Sequence, residues 1–173
     1  IGGFGKHIRH VKAPDSYRPT GGDAAAHALA FAEEVAAACA SLVENGCGVS
    51  CMIVCPTFVN EGFPDLNKGF LDGAIGAVRK ARGIIIADEV QPGFGRTGAA
   101  FWGHEVAGFK PDIVTMGKPM GNGHPVAAVA TSLDIMSAFR KAFGYFNTFG
   151  GNPVSCAAAN AVLDVLEQDN LMQ

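Results

Sequence analysis

The sequence lacks a dominant charge. Its 173 residues carry 13 Lys and Arg against 16 Asp and Glu, a formal net charge of −3, and the signs are interspersed. No face is therefore built for nucleic acid or for an anionic membrane. It also lacks an unbroken apolar run. Gly, Pro or charge interrupts each hydrophobic stretch before the ~18 residues that a spanning helix needs, and the amino terminus lacks the charged-then-apolar layout of a secretory signal. No membrane contact and a cytoplasmic location are expected. A CxxC pair is missing too: the five cysteines fall mostly in segments that read as buried, and Cys47, Cys51 and Cys55 have another spacing. A reducing compartment fits, and no metal site is expected. His104-Glu105 has no second histidine at the spacing of a zinc helix, so it reads as surface. There is no internal repeat, and no low-complexity tract beyond the alanines.

What is present is a globular composition. Apolar residues make up 49% of the chain and the mean hydropathy is +0.22, enough for one domain with a sizeable core and small-molecule chemistry. The chain opens at Ile1 without a methionine, and residues 1–22 show no helical or strand periodicity. It stops at Gln173, just past an apparent helix. These features lead us to expect a piece of a larger protein, with 1–22 as an irregular lead-in and 23–173 as the folded part.

Along the folded part, Asp23 to Asn45 reads as a helix with Leu29, Ala32, Ala36, Cys39 and Val43 on one face, ended by Asn45-Gly46. Val49 to Cys55 reads as a buried strand and Pro56 to Lys68 as a loop. Gly69 to Arg82 reads as a second helix closed by Gly83, and Ile84 to Asp88 as a buried β-branched strand. Helix followed at once by apolar strand is the rhythm of an α/β fold with a mostly parallel sheet and flanking helices. Asp112 to Thr115 and Val126 to Thr131 are further strands, joined by too few residues for a crossover helix and so antiparallel. Helices follow from Ser132 to about Lys141 and from the Asn152 cap and Pro153 onward.

Two charges stand where solvated surface charges are not normally found. Asp88 ends the Ile84 strand, and Lys118 follows another strand on a turn carrying Gly117, Gly121 and Gly123. In isolation each has a bland reading, Asp88 as a turn cap and Lys118 as a loop lysine in water. Together they point to one crevice at the sheet edge, where ligands bind in open α/β folds. Between them, Gly93-Phe94-Gly95-Arg96-Thr97-Gly98 matches G-x-G-x-x-G. A dinucleotide fingerprint would need its glycines directly after the strand, a helix opening on them and an acid ending the next strand. Asp88 to Pro92 intervene and Asp112 begins its strand, so a tight, arginine-anchored turn is the better reading. Glu89 and Arg96 are placed to pair across that turn, with full solvation as the equal alternative. His124 reads as a structural or supporting imidazole.

Three runs carry a closer resemblance: Ile-Ala-Asp-Glu-Val-Gln-x-Gly-Phe-Gly-Arg-Thr-Gly (86–98), Pro-Asp-Ile-Val-Thr-Met-Gly-Lys (111–118) and Phe-Asn-Thr-Phe-Gly-Gly-Asn-Pro (146–153). In this order they resemble the class III aminotransferases, pyridoxal-phosphate enzymes of fold type I. The resemblance extends over essentially the whole chain and is densest in 84–156. It implies that 23–173 is part of the cofactor-binding large domain, that pyridoxal 5'-phosphate is the cofactor, and that an amine or amino acid and a 2-oxo acid are the substrates. It implies roles for single residues. Lys118 matches the Schiff-base lysine, which also shuttles a proton, and Asp88 matches the acid that keeps the pyridine nitrogen protonated. Val90 matches the residue packed on one ring face, in line with Asp88 if the segment stays extended. Gln91 matches the amide near the ring 3′-oxygen. Thr148 matches a residue that reaches the phosphate of the neighbouring subunit's cofactor in a homodimer.

The family's phosphate-binding loop, ring-stacking aromatic and substrate-carboxylate arginine have no counterparts in this chain, so the isolated piece is not expected to be a competent catalyst. Many family members carry Glu-Pro where this chain has Cys55-Pro56, and without that glutamate a glutamate-type donor selectivity loses its support. Met116 to Pro125 with Tyr145 to Thr148 looks particularly like the phospholyase branch, which eliminates phosphate from phosphorylated amino alcohols or hydroxylysine. Elimination is therefore the rival to amine transfer. A non-catalytic dimerisation or regulatory module is the rival from another class.

Overall fold

A computed structural model of the chain describes residues 5–172. Four strands form one sheet in the order β1 (Cys51–Val54), β2 (Ile84–Asp88), β3 (Ile113–Met116), β4 (Ala128–Thr131). β1 to β2 and β2 to β3 are parallel, and β3 to β4 is antiparallel. The helices are α1 (Ala24–Glu44), α2 (Asp72–Lys80), α3 (Gly103–Ala107), α4 (Leu133–Ala142) and α5 (Pro153–Gln168). The mixed sheet with flanking helices is the expected class. The short α3 has no counterpart among the sequence expectations.

α1 starts where Asp23 accepts a hydrogen bond from the Ala26 amide at 2.8 Å, satisfying a donor the helix cannot use itself. Its buried stripe is His27, Phe31, Val35 and Cys39. Of the face expected from the alanine pattern, only Cys39 lies on it, and Leu29 and Val43 are exposed. Alanines are too small to decide which side of a helix is inside, and Phe31 and Val35 decide it through their larger apolar area. Ala32 still matters: a Cβ on Gly73 of α2 would meet its Cβ at 2.8 Å, so the glycine lets the two helices approach.

By length and composition alone α1 could cross a membrane, with 21 residues and a hydropathy of 1.4. Glu33 and Glu34 sit mid-helix, a costly place for charge in hydrocarbon, and Glu34 accepts the Lys12 amide at 3.3 Å. With its stripe in the core, α1 is a packed helix of this domain.

The core joins Phe31, Val35 and Cys39 of α1 to Leu71, Ala74, Ile75 and Val78 around α2 and to Val54 and Ile85 of the sheet. α1 and α2 thus cover one sheet face. On the opposite face Cys51 and Ile53 are exposed, so β1 is half-buried and not wholly inside as expected. The cysteines shift likewise: all five are free, Cys39 is buried, and Cys51 and Cys156 are exposed. Burial pushes the Cys39 thiol up, which keeps it protonated and inert.

Gly83 ends α2 by an unexpected route. The left-handed residue is Arg82, with φ 67°, while Gly83 is buried where a Cβ would meet Val49 and Val78 at 2.8 Å. Asp112 then sets the β2–β3 pairing, its Oδ2 accepting the Ile85 amide at 2.7 Å. At the other end, Ser132 caps α4 through the Ile135 amide and Asn152 caps α5 through the Ser155 amide, as expected.

Because Ile85 is 0% exposed and Ile53 66%, Ile85→Ala is expected to cost about 2–5 kcal/mol in chemical denaturation. Ile53→Ala is expected to stay within about 0.5 kcal/mol.

Candidate active site

The parallel register carries the site. Asp88, the last residue of β2, lies opposite Thr115 of β3, and Lys118 follows three residues beyond Thr115. Both therefore reach the carboxyl-terminal edge of the sheet. One more ladder bond, from the Glu89 amide to the Thr115 carbonyl at 2.9 Å, extends the pairing past Asp88. The chain then turns out of the sheet.

Asp88 is half-buried. Its Oδ1 accepts the Val90 amide at 3.1 Å, and no protein donor among the described residues engages Oδ2. Val90 lies in a turn and not on an extended segment, so strand alternation does not aim it. Packing does: a Cβ on Gly117 would meet Val90 Cγ1 at 3.3 Å, which places Val90 against the residue before Lys118. Gln91 is half-buried and donates Nε2–H to Asn60 Oδ1 at 3.3 Å. Asn60 lies in a single 3-10 turn, Val59–Glu61, after β1. It was not among the sequence candidates, since its loop showed only turn formers.

Lys118 is exposed and opens a second 3-10 turn, Lys118–Gly121. Its φ of 20° is at the edge of the left-handed region that side chains rarely occupy, and such backbone clusters at functional sites. Three bonds hold the turn, from Met120 to Gly117, Asn122 to Pro119 and His124 to Gly121. His124 also faces Ser155 Oγ through Nε2 at 2.9 Å, tying the lysine turn to the start of α5. That is the supporting role expected of it. Thr148 is exposed on the loop before α5, beside exposed Phe146 and Phe149.

Three expectations about the segment from Glu89 to His104 fail. Glu89 does not pair with Arg96, which is exposed. Glu89 is 0% exposed and points into the fold: Oε2 accepts the Gly103 amide, and Oε1 accepts the His104 amide and faces His104 Nδ1, each at 2.8 Å. His104 is accordingly a half-buried partner and not a surface residue. Nor does arginine anchor the turn. Phe94, in the left-handed region at φ 62°, packs its ring on Phe101 and Trp102 with centroids 5.3 and 5.6 Å away. The glycine pattern opens no long helix, and the first amides of α3 are already taken by the Glu89 carboxylate. This agrees with rejecting a dinucleotide site. No three His, Cys, Asp or Glu side chains converge for a metal among the described residues.

A family model described as Aminotransferase class-III matches residues 1–173. The chain belongs to the class-III aminotransferase family. Among curated relatives, it is 45% identical over 144 residues to an alanine-glyoxylate aminotransferase 2-like protein of Drosophila melanogaster, covering 83% of this chain and 29% of that protein. It is 56% identical over 98 residues to ethanolamine-phosphate phospho-lyase homolog 1 of Caenorhabditis elegans, covering 56% of this chain and 21% of the other. Among solved structures, it superposes with TM-score 0.89 and 44% identity on a phospholyase from Arthrobacter in complex with phosphoethanolamine, covering 97% of this chain and 40% of that one. The chain thus spans well under half the length of these proteins, and the fold type I expectation is met.

The lysine turn has no spare room. A Cβ on Gly121 would meet Val126 Cγ1 at 2.6 Å, so Gly121→Ala is expected to destabilise by about 1–3 kcal/mol. Hydrogen exchange should show the loss as faster exchange at the Met120 and Asn122 amides. An unchanged exchange pattern would contradict the packing.

Proposed function

We propose that this chain supplies the lysine-bearing wall of a pyridoxal 5'-phosphate site, in an enzyme that moves an amino group between an amine or amino acid and a 2-oxo acid. The single observation that supports it most is the β2–β3 register, which sets Asp88 level with Thr115, three residues before Lys118. The donor set suits the cofactor. Asp88 is half-buried with one oxygen committed to Val90 and the other open to a ring N–H. Val90 offers an apolar surface, and Lys118 presents its amine to solvent on a strained turn.

When bound, the cofactor supplies an electrophilic aldehyde for amines and a protonated ring that withdraws electrons from the substrate carbon. The chain's own residues do the rest. Asp88 holds the proton on the ring nitrogen through the attraction of a carboxylate for an adjacent cation. Val90 would cover one ring face, and Gln91, steadied by Asn60, would offer its amide to the ring oxygen. Lys118 Nζ would hold the cofactor through its aldehyde, and its free amine would accept and return the proton of the substrate carbon. Thr148, exposed on its loop, would contact the phosphate bound by a second subunit in a homodimer.

The 44% identity to a phospholyase with phosphoethanolamine favours a second reading, β-elimination of phosphate from a phosphorylated amino alcohol. Lys118 and Asp88 serve both reactions, because both begin with loss of a bond at the same substrate carbon. A panel of amines and phosphorylated amino alcohols, scored for 2-oxo-acid-dependent amine transfer and for released phosphate, separates them.

Two results are expected on the full-length protein. Adding pyridoxal phosphate should produce a new visible absorbance band, and borohydride should fix the cofactor on the Lys118 peptide. Lys118→Ala should abolish both. Asp88→Asn should lower turnover at least about 10²-fold, the lower end for a misplaced catalytic proton. A normal band in Lys118→Ala would remove that residue from its role.

A further inference from the structure

The buried Glu89–His104 pair is left over once the site residues have been assigned, although Glu89 adjoins Asp88 in the chain. We propose that Glu89 and His104 are positioning residues that fix the direction of the Asp88 carboxylate, and so the chain's preference for a cofactor carrying a ring nitrogen. The proposal rests on the reading of Asp88 given above.

Asp88 is aimed by little of its own. β2 ends at that residue, and among the described residues its one side-chain hydrogen bond is from the Val90 amide to Oδ1. The direction of that N–H is set by the Glu89–Val90 peptide plane, because the peptide is rigid and only the dihedrals on either side of it can turn. Whatever holds Glu89 therefore holds the donor that orients Asp88.

Glu89 is held at every polar atom. Its amide donates to Thr115 and its carbonyl accepts from the Gly93 amide at 3.1 Å. Its carboxylate takes the Gly103 and His104 amides and His104 Nδ1. The glycines keep this arrangement tight. A Cβ on Gly93 would meet the Glu89 carbonyl oxygen at 2.8 Å, and one on Gly103 would meet Glu89 Oε2 at 3.2 Å and Pro92 at 2.7 Å. His104 is fixed in turn between Trp102 and Phe109, with ring centroids 6.2 and 6.0 Å away. It is the one side-chain donor to Glu89 among the described residues, and the pair is 0% and 14% exposed. Removing that donor leaves a buried carboxylate short of a partner, and such a group relaxes toward water or a new donor. The peptide after Glu89 moves with it, and the Val90 amide loses its aim.

The test compares pyridoxal phosphate with its 1-deaza analogue, which has carbon in place of the ring nitrogen, in binding titrations on the full-length protein. Asp88→Asn tests the underlying reading: if it leaves the preference for pyridoxal phosphate over the analogue unchanged, Asp88 does not contact the ring nitrogen and both proposals fall. If Asp88→Asn removes the preference, the positioning role is read separately. His104→Leu should then lower that preference about tenfold, the scale on which orienting partners act at metal ligands, with the analogue's own affinity little changed. His104→Asn keeps an N–H for Glu89 and should restore the preference to within about twofold. A general structural role would weaken both ligands equally. Equal weakening, or no rescue by His104→Asn, would overturn the proposal. Should His104→Leu fail to fold, Glu89→Gln is read the same way, and a wild-type preference in that variant would overturn it.

Discussion

A carboxylate buried out of water is stable only when hydrogen-bond donors satisfy both of its oxygens. Glu89 meets that requirement with two main-chain amides and one imidazole, and much of the local geometry follows. The amides belong to the start of α3, so the helix is pinned to the end of β2. The imidazole sits among aromatic rings, so the intervening loop folds over Phe94, Phe101 and Trp102. Gly93 and Gly103 are the residues that leave room for this. The sharp exit of the chain from the sheet beyond Asp88 is thus determined by where one buried charge can be satisfied.

That exit leaves Asp88 at the carboxyl-terminal edge of the sheet. In a parallel sheet the carboxyl ends of neighbouring strands lie side by side, and the Asp88–Thr115 register brings β2's terminal acid level with the strand that leads into the lysine turn. Val90 fills the space beside Gly117, where the absence of a side chain lets two backbone segments approach. The lysine turn is braced from behind by His124 and Ser155. An acid, an apolar side chain and the amine-bearing turn thus lie along one edge of the sheet.

The elements that the sequence revealed were those with a local signature. β2 was legible from its isoleucines, α5 from Asn152-Pro153, and the antiparallel β3–β4 pair from the length of its connection. Asp88 and Lys118 were legible because charges at the ends of apolar strands are rare. Choices made by tertiary packing were not legible. Alanine-rich α1 carries no pattern strong enough to show that Phe31 and Val35 face inward. Gly83 looks like a turn residue but is needed for close packing. Glu89 gave no sign of burial because its partner, His104, is fifteen residues away across an aromatic loop. Arg96 was the nearer opposite charge, and proximity in sequence was misleading there.

The central claim is that the Asp88 edge keeps a pyridine nitrogen protonated. The most direct measurement is the 15N chemical shift of ring-labelled pyridoxal phosphate bound to the full-length protein at neutral pH. The account predicts the shift of a protonated ring nitrogen in the wild type and a move toward the neutral value in Asp88→Asn. A neutral-pyridine shift in the wild type, or the same shift in both proteins, would contradict it.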